Sequence, residues 1–361
     1  MKTRVQTIIA LALMIIISAC GNNDDSNPVP SEPTGDYTTA EALLEENGFQ
    51  GSILIRKGGN DFLRRGFGMA DEAAGVTNDP ALVYRIGSMT KAFTSMAVVN
   101  LKREGLIESY DQPLSDFDDE FPHGDKITLR HLATHYSGLP DYIGVIEEIY
   151  RNQNYFFAPE DIYDIIKESA GEDGLLFEPG ESFAYSNSGY LILGLLIEEL
   201  TDMDYNDYIH QNVMAPLGLN QTTIGADDIQ GAGFAKGYKD GQVVAPYLMD
   251  LAFSAGEFES TIADLEKWGD ALMGAGFLST EEKTDYFAAP YTEDGFFTSG
   301  FGWFTIGLGG TLVYNHGGNI DGFTSIIALL PETNSMIIML SNQENWAPVN
   351  EVLEALVVNE F

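Results

Sequence analysis

Ser88-Met89-Thr90-Lys91 sets a hydroxyl and an amine three residues apart at the head of an apolar stretch. On a helix, residues i and i+3 share a face, so the two groups can meet. Burial and the positive end of the helix dipole both disfavour an ammonium there, and a neutral lysine is a competent base for a serine hydroxyl. The first helical turn also offers backbone N–H groups to a developing oxyanion. Two further clusters could serve the same chemistry. Tyr185-Ser186-Asn187 supplies a phenol that can pass a proton and an amide that can hold an amine or a carbonyl. In His316-Gly317-Gly318-Asn319 the glycines let a substrate backbone approach a strand edge, His316 could donate to the substrate, and the Asn319 N–H could complete an oxyanion hole. Each cluster alone has a plainer reading: a snorkelling lysine, a turn with an Asn or Ser helix cap, and a strand end with a satisfied histidine.

In this order, S-x-x-K, Y-x-N and H-x-G resemble the serine β-lactamase and penicillin-binding-protein superfamily. The similarity is greatest to its class C β-lactamase-like branch, which includes D-Ala-D-Ala carboxypeptidases and esterases. It extends over about 40–361, through "YRIGSMTKAFT", "ITLRHLATHYSGLPDY", "FEPGESFAYSNSGYLILGLLIEELT", "VMAPLGLNQT" and "YNHGGNIDGFTS". The resemblance implies an α+β fold in which an antiparallel sheet is flanked by helices and carries a mainly helical insert. It also implies a serine hydrolase working through an acyl-enzyme. Ser88 would be the nucleophile, Lys91 its base and Tyr185 the proton relay. Asn187 would contact Lys91 and substrate, with His316, Gly317, Gly318 and Asn319 completing the substrate site and the N–H groups of Ser88 and Asn319 forming the oxyanion hole. The substrates implied are a D-Ala-D-Ala-like peptide or an ester, with a β-lactam as the alternative. His316 stands where many members carry lysine, replacing a fixed charge by a titratable one and counting against efficient β-lactam hydrolysis. The class A motif E-x-x-L-N is absent. The reading from another class is a non-catalytic surface lipoprotein that uses the fold as a binding module.

These groups need positioning elements, and the sequence marks them. "TAEALLEENG" reads as a short capped helix, and "GSILIRKGGNDFLRRGFG" as a hairpin about Gly58-Gly59-Asn60. A helix runs from near Ser88 to a stop at Gly105, and Ser260-Thr261 followed by Asp264 opens another. "SGFGWFTIG" and "GTLVYNH" read as strands, "GFTSIIALLPETNSMIIMLSN" as a hairpin about residues 331–334, and "NWAPVNEVLEALVVNEF" as a closing helix. The spacing predicts a sheet domain from 39–107 and 246–361 holding a helical domain at 108–245.

Composition narrows the partners. The chain has 361 residues, 18 Lys+Arg against 55 Asp+Glu and a formal charge of −37, which repels phosphate backbones and argues against nucleic acid. No G-x-S-x-G elbow occurs. His131 and His135 lie at i,i+4, but H-L-A-T-H lacks the glutamate of a zinc motif, so they are expected to hold the loop "HYSGLPDY" near the site, with no metal and no cofactor. Lys2 and Arg4 precede an apolar run from Ile8 to Ile17 that is too short to span a bilayer, which reads as a signal peptide over 1–19. Ile17-Ser18-Ala19-Cys20 resembles a bacterial lipobox, and Cys20 is the single cysteine. The expected mature protein is therefore lipidated at Cys20, tethered to the bilayer by the polar segment 20–38, and located in the cell envelope.

Overall fold

The computed structural model describes residues 39–153, 155–172, 174–228, 233–287 and 297–361. The expected signal peptide, Cys20 and tether lie outside these residues. Helix α1 (Ala40–Glu46) opens the described chain, its first turn capped by the Thr39 hydroxyl, which accepts from the Ala42 N–H. Strands β1 (Gly51–Lys57) and β2 (Asn60–Phe67) follow as an antiparallel hairpin. The remaining strands of the sheet come from the far end of the chain: β3 (Phe297–Ser299), β4 (Phe304–Leu308), β5 (Thr311–Ile320), β6 (Phe323–Leu330) and β7 (Ser335–Ser341). They assemble as one antiparallel sheet in the order β3-β4-β5-β6-β7-β1-β2.

Side chains alternate across the pleat, so each central strand feeds two cores. Ile53, Ile55, Ile337 and Met339 face α1 and the closing helix α8 (Val349–Glu360), where Leu43, Leu44, Leu353 and Leu356 meet them. Leu54, Ile338 and Leu340 face the larger core on the other side. Through that second core runs α2 (Thr90–Glu104), buried without interruption from Thr90 to Leu101 and stopped by Gly105 in the left-handed conformation. Its polar residues are satisfied internally: the Thr94 hydroxyl donates to the Ser254 carbonyl at 2.6 Å, and Ser95 meets the Tyr190 hydroxyl at 3.1 Å.

Around α2 lie α3 (Leu129–Thr134), α4 (Ile143–Gln153), α5 (Pro159–Glu172) and α6 (Asn187–Thr201), the helical part of the chain. Helix α7 (Ile262–Met273) starts where the Thr261 hydroxyl accepts from the Asp264 N–H, the expected cap. "SGFGWFTIG" departs from the single strand expected. The Gly300 N–H bonds back to the Trp303 carbonyl at 2.7 Å, which breaks the segment into β3 and β4 with a turn between them. Phe301 and Trp303 leave the pleat to be buried in the larger core, so alternation could not be maintained through the turn.

Candidate active site

Ser88 sits in a single tight turn, Gly87–Met89, that leads directly into α2. The turn is clamped from two sides. The short strand Tyr84–Arg85 pairs with Phe258–Ser260, the Ile86 N–H donates to the Phe258 carbonyl at 2.9 Å, and the Phe258 N–H donates to the Thr90 hydroxyl at 3.0 Å. On the other side lies β5. Its pairing with β4 ends at Asn315 opposite Phe304, whereas its pairing with β6 continues to Ile320, so residues 316–320 keep one edge outside the ladder. A Cβ on Gly318 would stand 2.0 Å from the Ile86 carbonyl oxygen, and one on Gly87 would stand 3.1 Å from the Asn319 nitrogen. Only glycine permits backbones this close, and Gly87 also has a φ of +51°. The sequence thereby brings the Asn319 N–H alongside the Ser88 turn.

Lys91 lies one helical turn below, with no solvent exposure. Its Nζ donates to Asn187 Oδ1 at 2.7 Å and the Ala255 carbonyl at 2.7 Å, and lies 3.1 Å from Ser88 Oγ. Burial pulls its pKa from the usual 10.5 down to about 7, against the opposing pull of Asp141. A large neutral fraction at neutral pH therefore stands within reach of the serine proton. Tyr185 closes the triangle. Its hydroxyl is hydrogen-bonded to Ser88, its ring centroid lies 4.9 Å from Lys91 Nζ, and burial holds its pKa well above 10, the Ser88 bond opposing.

The plain reading of "YSNSG" as a helix cap fails on geometry. Ser186 occupies the N-cap position of α6, but its hydroxyl makes no cap bond and is buried with no hydrogen-bond partner among the described residues. Asn187 instead turns its amide to Lys91. That orientation is held by Asp141, a residue the sequence reading missed. Asp141 Oδ1 accepts from the Asn187 backbone N–H at 3.1 Å and from Nδ2 at 3.1 Å, and Oδ2 accepts from Nδ2 at 2.9 Å. Its only sequence signal is its place in "HYSGLPDY".

The two histidines of H-L-A-T-H take different roles. His135 ends α3 in the left-handed conformation, packs its ring at a tilt against Tyr185 with centroids 4.4 Å apart, and accepts the Ser186 N–H on Nδ1 at 3.2 Å, so it does hold the loop at the site. His131 serves its own helix, with Nδ1 accepting the Thr128 N–H at 3.2 Å in a capping box. His316 was expected to donate to substrate as a titratable cation. Its Nδ1 lies 2.6 Å from the Gly317 carbonyl, which can only accept, so Nδ1 carries the proton. Nε2 is then a bare acceptor, buried and without a hydrogen-bond partner among the described residues. Burial, reinforced by Lys91, pushes the His316 pKa down to about 3, and its ring stacks on Phe304 at 5.1 Å. At physiological pH this histidine is neutral. Beyond β5, Arg151 of α4 pairs with Asp321 at 2.7 Å and with Glu147 at 3.8 Å, bridging the helical part to the strand end. Among the described residues no group of three or more His, Cys, Asp or Glu could hold a metal ion.

An antiparallel sheet with helices on both faces and a Ser–Lys–Tyr cluster around a buried lysine at the head of the central helix defines a β-lactamase/transpeptidase-type serine hydrolase. Residues 38–359 match the Beta-lactamase family, and the chain belongs to it. It is 27% identical over 333 residues to penicillin-binding protein 4* of Bacillus subtilis, spanning 85% of this chain and 71% of that one. Among solved structures, a penicillin-binding protein from Bacillus halodurans superposes with a TM-score of 0.75 at 26% identity, covering 89% of this chain and 99% of that one. D-amino acid amidase from Ochrobactrum anthropi superposes with a TM-score of 0.76 at 24% identity, covering 88% and 99%; this likeness is one of fold.

Proposed function

We propose that the chain hydrolyses esters or amides by acyl transfer to Ser88. Neutral Lys91 takes the Ser88 proton as Oγ bonds to the substrate carbonyl carbon. The negative charge on the carbonyl oxygen is met by the N–H groups of Ser88 and Asn319. As the bond to the leaving group breaks, Tyr185 passes the proton from Lys91 to that group. Water then enters by the reverse route and releases the acid. The observation that carries this reading is the fully buried lysine 3.1 Å from Ser88 Oγ, with its pKa lowered to about 7.

The reading favours substrates whose leaving group has no carboxylate. His316 offers an acceptor in place of a cation, and Arg151 of α4 is already paired with two carboxylates, one of them Asp321 just after β5. An acyl donor lying along residues 316–320 would thus be recognised by its backbone and by apolar contact with Phe304. A small ester or uncharged amide ranks first, a D-Ala-D-Ala-like peptide second and a β-lactam third. Parallel kcat/KM measurements on a p-nitrophenyl ester, a D-Ala-D-Ala peptide and a chromogenic cephalosporin test this order. Ester turnover should lead, and a preference for either carboxylate-bearing substrate would overturn the assignment. The proposal places the enzyme in the cell envelope through lipid on Cys20. Radiolabelled palmitate should enter the wild-type protein and not Cys20→Ala.

A further inference from the structure

We propose that Asp141 is a positioning residue that fixes both the orientation of the Asn187 amide and the proton affinity of Lys91. This inference rests on the Ser88–Lys91 reading above. An asparagine side chain can present either its oxygen or its NH2 to a neighbour. Here the choice is set by the carboxylate, since Asp141 accepts from Asn187 twice through Nδ2 and once through the backbone N–H. Both Nδ2 contacts point away from Lys91, so Oδ1 must face Nζ, at 2.7 Å. The Asn187 amide thereby bridges the lysine and the carboxylate.

The consequence is electrostatic as well as geometric. Lys91 is surrounded by Ser88 on its own helix, Tyr185 and Tyr190 at and within the head of α6, His135 from the end of α3, His316 from β5 and the Ala255 carbonyl. Burial disfavours its charge, and among the described residues Asp141 is the carboxylate that favours it. When Lys91 accepts the Ser88 proton it becomes an ammonium in a dry site, and the Asp141 charge, relayed by Asn187, is what that ammonium meets. Burial raises the Asp141 pKa from its usual range, and the N–H donors of Ile143 and Asn187 on its two oxygens, together with the Lys91 charge, pull it back toward the carboxylate.

Asp141→Asn removes the charge and places an NH2 against Asn187 Nδ2. The Asn187 amide then flips and turns Nδ2 toward Lys91, which suits only the neutral amine. The test is the acylation rate of Ser88 by a fluorophosphonate across pH 5–9, in wild type, Asp141→Asn, Asp141→Glu, Asn187→Ala and the double variant Asp141→Asn/Asn187→Ala. In Asp141→Asn the plateau rate should fall on the order of tenfold or more, as for loss of a group that orients a general base, and the acid limb should move to lower pH. Asp141→Glu should return the limb toward its wild-type position, and the plateau losses of the two single changes should be less than additive in the double variant. An unmoved acid limb, or additive losses, would make Asp141 merely structural and overturn the inference. Should Asp141→Asn fail to fold by circular dichroism, Asp141→Ser supplies the same uncharged comparison. Absence of any Ser88 adduct in the wild type would instead overturn the underlying reading, so the two failures are distinct.

Discussion

Ser88 and Lys91 illustrate how much of a site depends on removing water from one amine. In solution a lysine amine is protonated at pH 7 and useless as a base; here, desolvation brings its pKa to about 7. Because the neutral form is the active one, activity should fall as pH drops through about 7 and level off above it. Lys91→Met should lower kcat/KM for a p-nitrophenyl ester by about 10²–10⁴ while leaving the circular dichroism spectrum unchanged. A loss under fivefold would show that another group serves as base. At this scale the meeting of Ser88, Lys91, Tyr185 and Asn187 was legible from the order of S-x-x-K, Y-x-N and H-x-G, none of which was distinctive alone. Two features were hidden. Asp141 lies 46 residues from Asn187, so its role exists only once the loop after α3 meets the head of α6. The neutrality of His316 depends on burial and on the neighbouring Lys91, which outweigh the opposing Gly317 carbonyl, and the residue type announces none of these.

Elements bring these groups together by unusually close backbone contact between β5 and the Ser88 turn. Gly318 is the closest point, and Ser325 on β6 reinforces it by donating to the same Ile86 carbonyl at 2.8 Å. Gly318→Ala should push β5 away from Ser88, costing about 1–3 kcal/mol of stability by overpacking. Acylation should suffer more than this, because the Asn319 N–H moves with the strand. Urea unfolding and fluorophosphonate labelling measured on the same variant separate the two effects, and unchanged labelling would remove β5 from the oxyanion site. Elements with local signals were readable in advance: the Thr261 cap, the Gly105 stop and the hairpin about Gly58-Gly59 all follow from nearby residues. The division of "SGFGWFTIG" into two strands was not, because it is the distant core that draws Phe301 and Trp303 out of the pleat.

For the whole molecule, acidic composition has a buried counterpart that the sequence does not reveal. Glu257, two residues after the carbonyl that holds Lys91, is 1% exposed, and its Oε1 has no hydrogen-bond partner among the described residues. Burial, with Asp250 adding repulsion, raises its pKa from 4.5 to about 8. In the fold it holds its proton at neutral pH, whereas in the unfolded chain it is ionised above about 4.5. Its contribution to stability is therefore fully present below pH 4.5 and is lost as pH rises toward 8. The stability advantage of Glu257→Gln over wild type should grow between pH 5 and pH 8 in urea titrations. An advantage equal at both pH values would show that Glu257 ionises normally in the fold. The two-ended sheet was legible because its strands read as β-rich from both termini, but burial of individual acids depends on the finished packing.

The most direct measurement is intact-protein mass spectrometry after fluorophosphonate treatment, followed over pH and located by peptide mapping. One adduct is expected, on Ser88, forming at half its maximal rate near pH 7 and absent from Ser88→Ala. A wild-type protein that takes up no adduct, or an adduct that survives Ser88→Ala, would contradict the assignment of Ser88 as the nucleophile.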